Sequence, residues 1–185
     1  MNFSIREATQ ADLIQIANYF TSKPNEYWLN MGVDPNKLPD KIKLLHILQE
    51  EFDKPIEDKQ LFYIIWIVDG TAVGHSNINK IKYGQEAEIH LHLWDHENTK
   101  KGVGIPMLKL SIKRYFELFK LSKLFCEPYA KNIAPNVIIP KLGFEFMHAV
   151  RPNPVGWIHL DVELNSYVLT KEKFNSLKEF YSSSN

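Results

Sequence analysis

Glu88, His90 and His92 alternate with Ile89, Leu91 and Leu93 along one short stretch of the chain. A period of two places the carboxylate and both imidazoles on one face of a strand and the three aliphatic side chains on the other. A carboxylate beside imidazoles can take up and relay a proton near neutral pH. The same set can also hold a transition metal. Each residue has a plainer reading as well, as a strand-end glutamate or a hydrogen-bonded structural histidine. Just downstream, Thr99-Lys100-Lys101-Gly102-Val103-Gly104 runs into a helical pattern. Two glycines let the backbone turn sharply and present successive N–H groups with no side chain in the way. A helix N-terminus adds unpaired donors and partial positive charge, so a phosphate group sits well there. No third glycine completes a dinucleotide fingerprint, and no Gly-Lys-Ser/Thr completes a P-loop.

These groups need elements to hold them. Phe3–Ala8 has a strand pattern. Thr9 follows as a helix N-cap, with Asp12 in place of the usual Glu of a capping box. Leu13, Ile16, Ala17 and Phe20 give the helix its apolar face. Ser22–Asp40 is rich in Pro, Asn, Gly and Asp and too long for a simple turn. It carries Tyr27, Trp28 and Met31. Leu38–Phe52 reads as a second helix, with Ile42, Leu45, Ile47 and Leu48 as its buried side. Gln60–Val68 is an almost wholly apolar, central strand. Asp69-Gly70 signals a hairpin into Thr71–Lys82, and Tyr83-Gly84-Gln85 turns that strand into the one bearing Glu88.

After the glycine turn, Pro106 suits a first helical turn. Leu108, Ile112, Tyr115, Phe116 and Phe119 recur at helical spacing. Lys123–Tyr129 is a short strand, expected parallel to the Glu88 strand because a helix joins them. Asn132–Lys141 reads as a short helix capped by Asn132. Phe144–Val150 and Trp157–Leu169 form a closing strand pair, and Lys171–Tyr181 is a tail helix.

The 185 residues suit a single domain over 1–185, with its core in about 3–170 and a helical, frayed tail over 171–185. Lys+Arg and Asp+Glu number 22 each, so no basic surplus points to nucleic acid or an anionic membrane as partner. A single cysteine, Cys126, rules out an internal disulfide and suits a reducing compartment. The N-terminal stretch has no apolar signal region, and no apolar run approaches the ~20 residues of a membrane span. A cytoplasmic location is expected.

Strand, then x-x-x-Gly102-x-Gly104, then helix resembles the acetyl-CoA-binding motif of the GNAT family of N-acetyltransferases, with Thr99 where Gln or Arg is usual. Asn132-Ile133-Ala134-Pro135 followed by Lys141-Leu142-Gly143-Phe144 is similar to a second family motif, at matching spacing. Ile5-Arg6-Glu7-Ala8-Thr9, with Asp12 and Leu13, resembles the family's opening strand and helix. Together the three segments span nearly the whole chain.

The resemblance implies an α/β (α+β) fold: a mixed, mostly antiparallel twisted sheet of about six to seven strands, helices on both faces, and a splayed parallel pair at its centre. It implies acetyl-CoA as co-substrate, no metal, a small-molecule or peptide amine acceptor, and a possible homodimer. The gap between the splayed strands would take the pantetheine arm. A backbone N–H near Leu93 or Trp94 would hold the thioester oxygen. The turn from Thr99, Lys100 and Lys101 through Gly102, Val103, Gly104 and Ile105 would hold the pyrophosphate. Asn132 would contact the pantetheine or a helix end, and Lys141 would reach a phosphate. Tyr27 and Trp28 would form a wall of the acceptor site, unless they merely pack on the core.

Freeing the lone pair of a lysine-like ammonium at pH 7 costs roughly 4.6 kcal/mol, from a pKa of ~10.4. A base is therefore expected. Glu88 is the first candidate, since Ala87-Glu88-Ile89 resembles the strand that carries a catalytic Glu in the histone-acetylating branch of the family. His90 and His92 share its face as relays. One departure is Ile139, which stands where many family members carry a Tyr that protonates the leaving thiolate. Tyr129 is a weaker substitute, and a thiolate of pKa ~8.5 can leave as such.

Two other readings are open. Gly84, His90, His92, Glu97 and Gly104 reproduce the spacing of the first cupin motif, and Pro154, Gly156 and His159 echo the second, which would make a metal-binding barrel. Ile139 also admits a non-catalytic acyl-CoA-binding protein on the same fold.

Overall fold

The computed structural model describes residues 1–94, 102–151 and 161–182. Seven strands form one mixed sheet: β1 (Phe3–Glu7), β2 (Leu61–Val68), β3 (Thr71–Lys82), β4 (Glu86–Leu93), β5 (Lys123–Cys126), β6 (Glu145–Val150) and β7 (Leu164–Thr170). Their spatial order is β1-β2-β3-β4-β5-β7-β6, and among the described residues β4–β5 is the only parallel pair. Seven α-helices accompany them among the described residues: α1 (Leu13–Ser22), α2 (Asn25–Asn30), α3 (Lys41–Phe52), α4 (Gly104–Leu118), α5 (Ile133–Lys141), α6 (Lys171–Ser176) and α7 (Lys178–Ser182).

One core lies between the sheet and α4. Leu108, Ile112, Tyr115, Phe116 and Phe119 are each at most 1% exposed, as their spacing requires. Burial of each such side chain stabilises by about 1.5–3 kcal/mol. Trp66 Nε1 donates to Ser111 Oγ at 3.0 Å, and Ser76 Oγ meets the Tyr115 hydroxyl at 2.8 Å, so the polar atoms of this core are paired. A second core, on the opposite face, gathers Ile16, Phe20, Trp28, Leu44, Leu48, Tyr63 and Ile65 from α1, α2, α3 and β2.

Several boundaries differ from the sequence reading. Residues 25–30 form α2, inside the stretch read as loop. The buried side of α3 is Leu44 and Leu48, while Ile42 is 82% and Ile47 38% exposed. The helix begins at Lys41, capped by Asp40, and packs Leu44 and Leu48, with half-buried Leu45 beside them, against the second core. The tail helix is broken at Leu177 into α6 and α7. Residues 157–160 of the last expected strand lie outside the described residues. The barrel reading fails on the fold, because Gly104 opens a 15-residue helix and the sheet is open. Glu97, Pro154, Gly156 and His159 of that reading lie outside the described residues.

Candidate active site

β4 pairs with β3 along its whole length, from Glu86 to Leu93, but with β5 only at Glu86, Ala87 and Glu88. Beyond Glu88 the two parallel strands part. The Trp94 N–H donates to the Val73 carbonyl at 3.0 Å, so Trp94 faces β3. Alternation along the strand turns the Leu93 N–H to the other edge, into the gap. Of the two amides expected to receive an oxygen, that of Trp94 is bonded to β3 and that of Leu93 faces the gap.

The glycine turn stands before α4. Gly102 has φ +72°, the left-handed conformation that side-chain-bearing residues avoid. Val103 is 1% exposed and anchors the turn to the core. The first helical bond is Met107 N–H to the Val103 carbonyl at 3.2 Å, so the amides of Gly104 and Ile105 have no intrahelical acceptor. Thr99, Lys100 and Lys101 lie outside the described residues.

α5 comes close to this end of α4, where a methyl placed on Gly104 would lie 3.5 Å from Ile138 Cδ1. Asn132 stands at the N-cap of α5, but its side chain makes no cap bond. Asn136 instead ties the region together: its amide donates to the carbonyls of Tyr129 and Asn132 at 2.9 and 2.7 Å. Its own oxygen accepts from Asn165 at 2.7 Å and from the Tyr167 hydroxyl at 3.1 Å. Lys141 is exposed in the last turn of α5. Ile139 is fully buried in the first core.

Glu88, His90 and His92 do share a face, and β3 faces them with Asn79, Asn77 and His75 in register. Glu88 is 7% exposed, with Oε2 2.6 Å from Lys80 Nζ and Oε1 3.4 Å from His90 Nε2. That second contact is at the edge of hydrogen-bond reach. His90 Nε2, Asn77 Oδ1, Asn79 Oδ1 and His75 Nε2 are buried without a hydrogen-bond partner. Such atoms on one face are places for water or for a ligand's polar groups. Burial pushes the His90 and His92 imidazoles below their ordinary range, His92 well below it with His75 and His90 adding to the effect. Burial alone takes His75 down to about 3. All three are neutral at pH 7.

An aromatic wall closes this face. The Tyr19 hydroxyl lies 3.1 Å from His92 Nδ1 and 2.6 Å from the Tyr27 hydroxyl. Trp94 Nε1 donates to His75 Nδ1 at 2.7 Å. Tyr27 is half-buried at the rim. Trp28 is 2% exposed and stacks on Phe20 at 5.7 Å, so it offers no open face to a ligand. Gly32 follows α2 with φ +78°, and a methyl there would lie 3.3 Å from Tyr129 Cβ, which brings the α2 segment against the chain leaving β5.

Sequence reading missed Tyr19, His75, Asn77, Asn79 and Lys80. His75, Asn77 and Asn79 alternate in the strand that folds back on Glu88, but a regular hairpin register would turn that alternation to the opposite face.

A family model described as "Acetyltransferase (GNAT) domain" matches residues 2–145. No curated protein sequence matches the chain significantly. Among solved structures it is similar to spermidine N-acetyltransferase from Vibrio cholerae in complex with CoA and spermine. There the TM-score is 0.75 at 15% identity, over 94% of this chain and 98% of that one. It is also similar to ribosomal L7/L12 alpha-N-protein acetyltransferase in complex with coenzyme A, with TM-score 0.72 and 16% identity, over 92% and 94% of the two chains. Aminoglycoside acetyltransferase AAC(6')-Ib with coenzyme A gives TM-score 0.71 at 16% identity, over 96% and 99%.

Proposed function

The chain belongs to the GNAT family of acetyltransferases, and on that premise we propose that it transfers the acetyl group of acetyl-CoA directly to a primary amine within a ternary complex. One observation supports this most: β4 and β5 part just beyond Glu88, with the Leu93 amide turned into the opening and a proton-handling face alongside. The thioester carbonyl oxygen accepts from the Leu93 N–H, which stabilises the charge that develops there as the amine attacks. The amides of Gly104 and Ile105, at the head of α4, bind the pyrophosphate.

Glu88 is the terminal base. Its lower oxygen is held by Lys80, and its other oxygen faces His90. His90 and His92 are neutral and can each accept a proton and pass another on. Water at the unpartnered Nε2 of His90 and Oδ1 of Asn77 completes the route from the amine. Ile139 can donate nothing to the departing thiolate; coenzyme A then leaves as the thiolate and is protonated by solvent, unless Tyr129 supplies the proton.

The test is thiol release from acetyl-CoA against an amine panel that includes a polyamine, an aminoglycoside, an amino acid and a protein N-terminus. Turnover of one of them supports the reading. Coenzyme A binding with no turnover on any amine would favour the non-catalytic acyl-CoA-binding protein, for which the buried Ile139 is the specific observation.

A further inference from the structure

Lys23 has an unusual position for a lysine on an enzyme surface. It closes α1, and Pro24 after it excludes the helical conformation, so its backbone turns extended with ψ 145°. The side chain then runs to the end of β4. Nζ donates to the Trp94 carbonyl at 2.8 Å and sits 5.4 Å from the ring centroid of Tyr19 and 5.5 Å from that of Tyr27. Both distances are within reach of a cation–π attraction. Among the described residues no carboxylate pairs with it. Two aromatic faces and one peptide carbonyl are a general way to hold an alkylammonium without neutralising it.

The cage adjoins the end of β4 that carries the Leu93 amide. Trp94 follows Leu93, whose amide faces the β4–β5 gap. The two cage tyrosines are the ones whose hydroxyls lead to His92. Lys23, Tyr27 and Trp94 are all half-buried, so the cage opens to solvent.

We propose that the Tyr19–Tyr27–Trp94 cage is the subsite for the acceptor's ammonium, that it selects a primary amine at the end of a flexible alkyl chain, and that Lys23 is a tethered occupant which the acceptor displaces. This rests on the amine-acetylating reading above. It adds the acceptor class and a built-in competitor.

Lys23→Ala removes three carbons and the ammonium, the size of n-propylammonium, so that ion is the probe. The full chain carrying Lys23→Ala, without acetyl-CoA, is titrated with n-propylammonium chloride and followed by NMR of the tyrosine rings. Saturable shifts of Tyr19 and Tyr27 are expected in the millimolar range, with n-propanol at least tenfold weaker and the unsubstituted protein unresponsive at the same concentrations. Absence of saturation, or equal response to propanol, overturns the cage. Lys23→Met keeps the aliphatic stem and guards against a folding defect. It should lower the KM for an alkylamine acceptor about fivefold or more and leave coenzyme A affinity unchanged; an unchanged or raised KM overturns the role of Lys23 as competitor. If neither protein turns over any amine, the acetyltransferase reading falls, while the titration still decides the cage.

Discussion

Lys80 Nζ lies 2.6 Å from Glu88 Oε2, and this contact decides which oxygen of the carboxylate is left for chemistry. Oε1 remains, facing His90 Nε2 at 3.4 Å. Glu88→Gln keeps the shape but cannot accept the proton. General-base catalysis is worth about 10²–10⁴-fold, so kcat should fall by at least ~100-fold. The dissociation constant for coenzyme A, measured by calorimetry, should stay within about twofold. Equal kcat in the variant would remove Glu88 as base.

The buried imidazoles make stability depend on pH in one direction. Burial lowers the folded-state pKa of His75 to about 3 and moves His90 and His92 down as well. Unfolded, each binds a proton below ~6.5. Their cost is therefore absent above that pH and grows as pH falls beneath it. For His75 the loss is about 1.4 kcal/mol per pH unit until about pH 3. Asp12, held down to about 2 chiefly by its hydrogen bonds from Arg6, adds loss in the same direction at lower pH. Thermal melting between pH 8 and 4 should show a plateau above about 6.5 and a steady fall below it. A flat profile to pH 5 would mean that the histidines are hydrated rather than buried.

Gly102 tests the turn before α4. Among the described residues a methyl there meets nothing within 4 Å, so the cost of a side chain is conformational, set by φ +72°. Forcing a β-branched residue into that region costs of order 1–3 kcal/mol, or the turn rearranges. Gly102→Val should weaken coenzyme A binding at least tenfold while the melting temperature drops by only a few degrees. Unchanged coenzyme A affinity would place the pyrophosphate elsewhere.

Much of this was legible before any coordinates. The strand alternation at Glu88, the glycine turn and the helical spacing of Leu108 to Phe119 each follow from local period and backbone freedom, and each is found at or within a residue or two of its expected place. The composition of the site wall was not legible, and the reason is a one-residue bulge. Lys82 pairs with Glu86, but Asn79 pairs with Glu88, and the extra residue between them puts Lys80 at φ +49°. A regular hairpin would have set Lys80, Ile78 and Ser76 beside Glu88, His90 and His92. The bulge exchanges the two faces of β3 and sets Asn79, Asn77 and His75 there instead. No period in the sequence marks it. Helix α2 was hidden for a different reason: six residues with Pro24 before them are held by packing of Trp28 on Phe20, not by propensity.

Tyr27 and Trp28 are adjacent in sequence and opposite in role. Trp28 is 2% exposed, and its truncation to Ala should cost about 3–5 kcal/mol of stability, read as a large fall in melting temperature. Tyr27→Leu leaves that packing in place and removes a ring from the Lys23 cage. Its melting temperature should change little, whereas KM for an alkylamine acceptor should rise severalfold. The reverse pattern would assign Tyr27 to the core and Trp28 to the acceptor.

Gly74 is the position at which a single methyl should separate folding from catalysis. A Cβ at Gly74 would overlap the His92 carbonyl oxygen and lie 3.1 Å from Leu93 Cα. The obstruction is backbone, which cannot turn aside as a side chain can. Gly74→Ala must therefore push β4 away from β3 at the end that carries the Leu93 amide. Overpacking of this kind costs typically about 1–3 kcal/mol, less than a domain's stability, so the protein should still fold. A shift of one oxyanion donor costs about 10²–10³ in kcat when the donor is lost outright. The variant should therefore show a modest drop in melting temperature, near-unchanged coenzyme A binding at the α4 end, and a kcat lowered by roughly tenfold or more. Full activity with lowered stability would mean that the thioester oxygen is held by some group other than the main chain of β4.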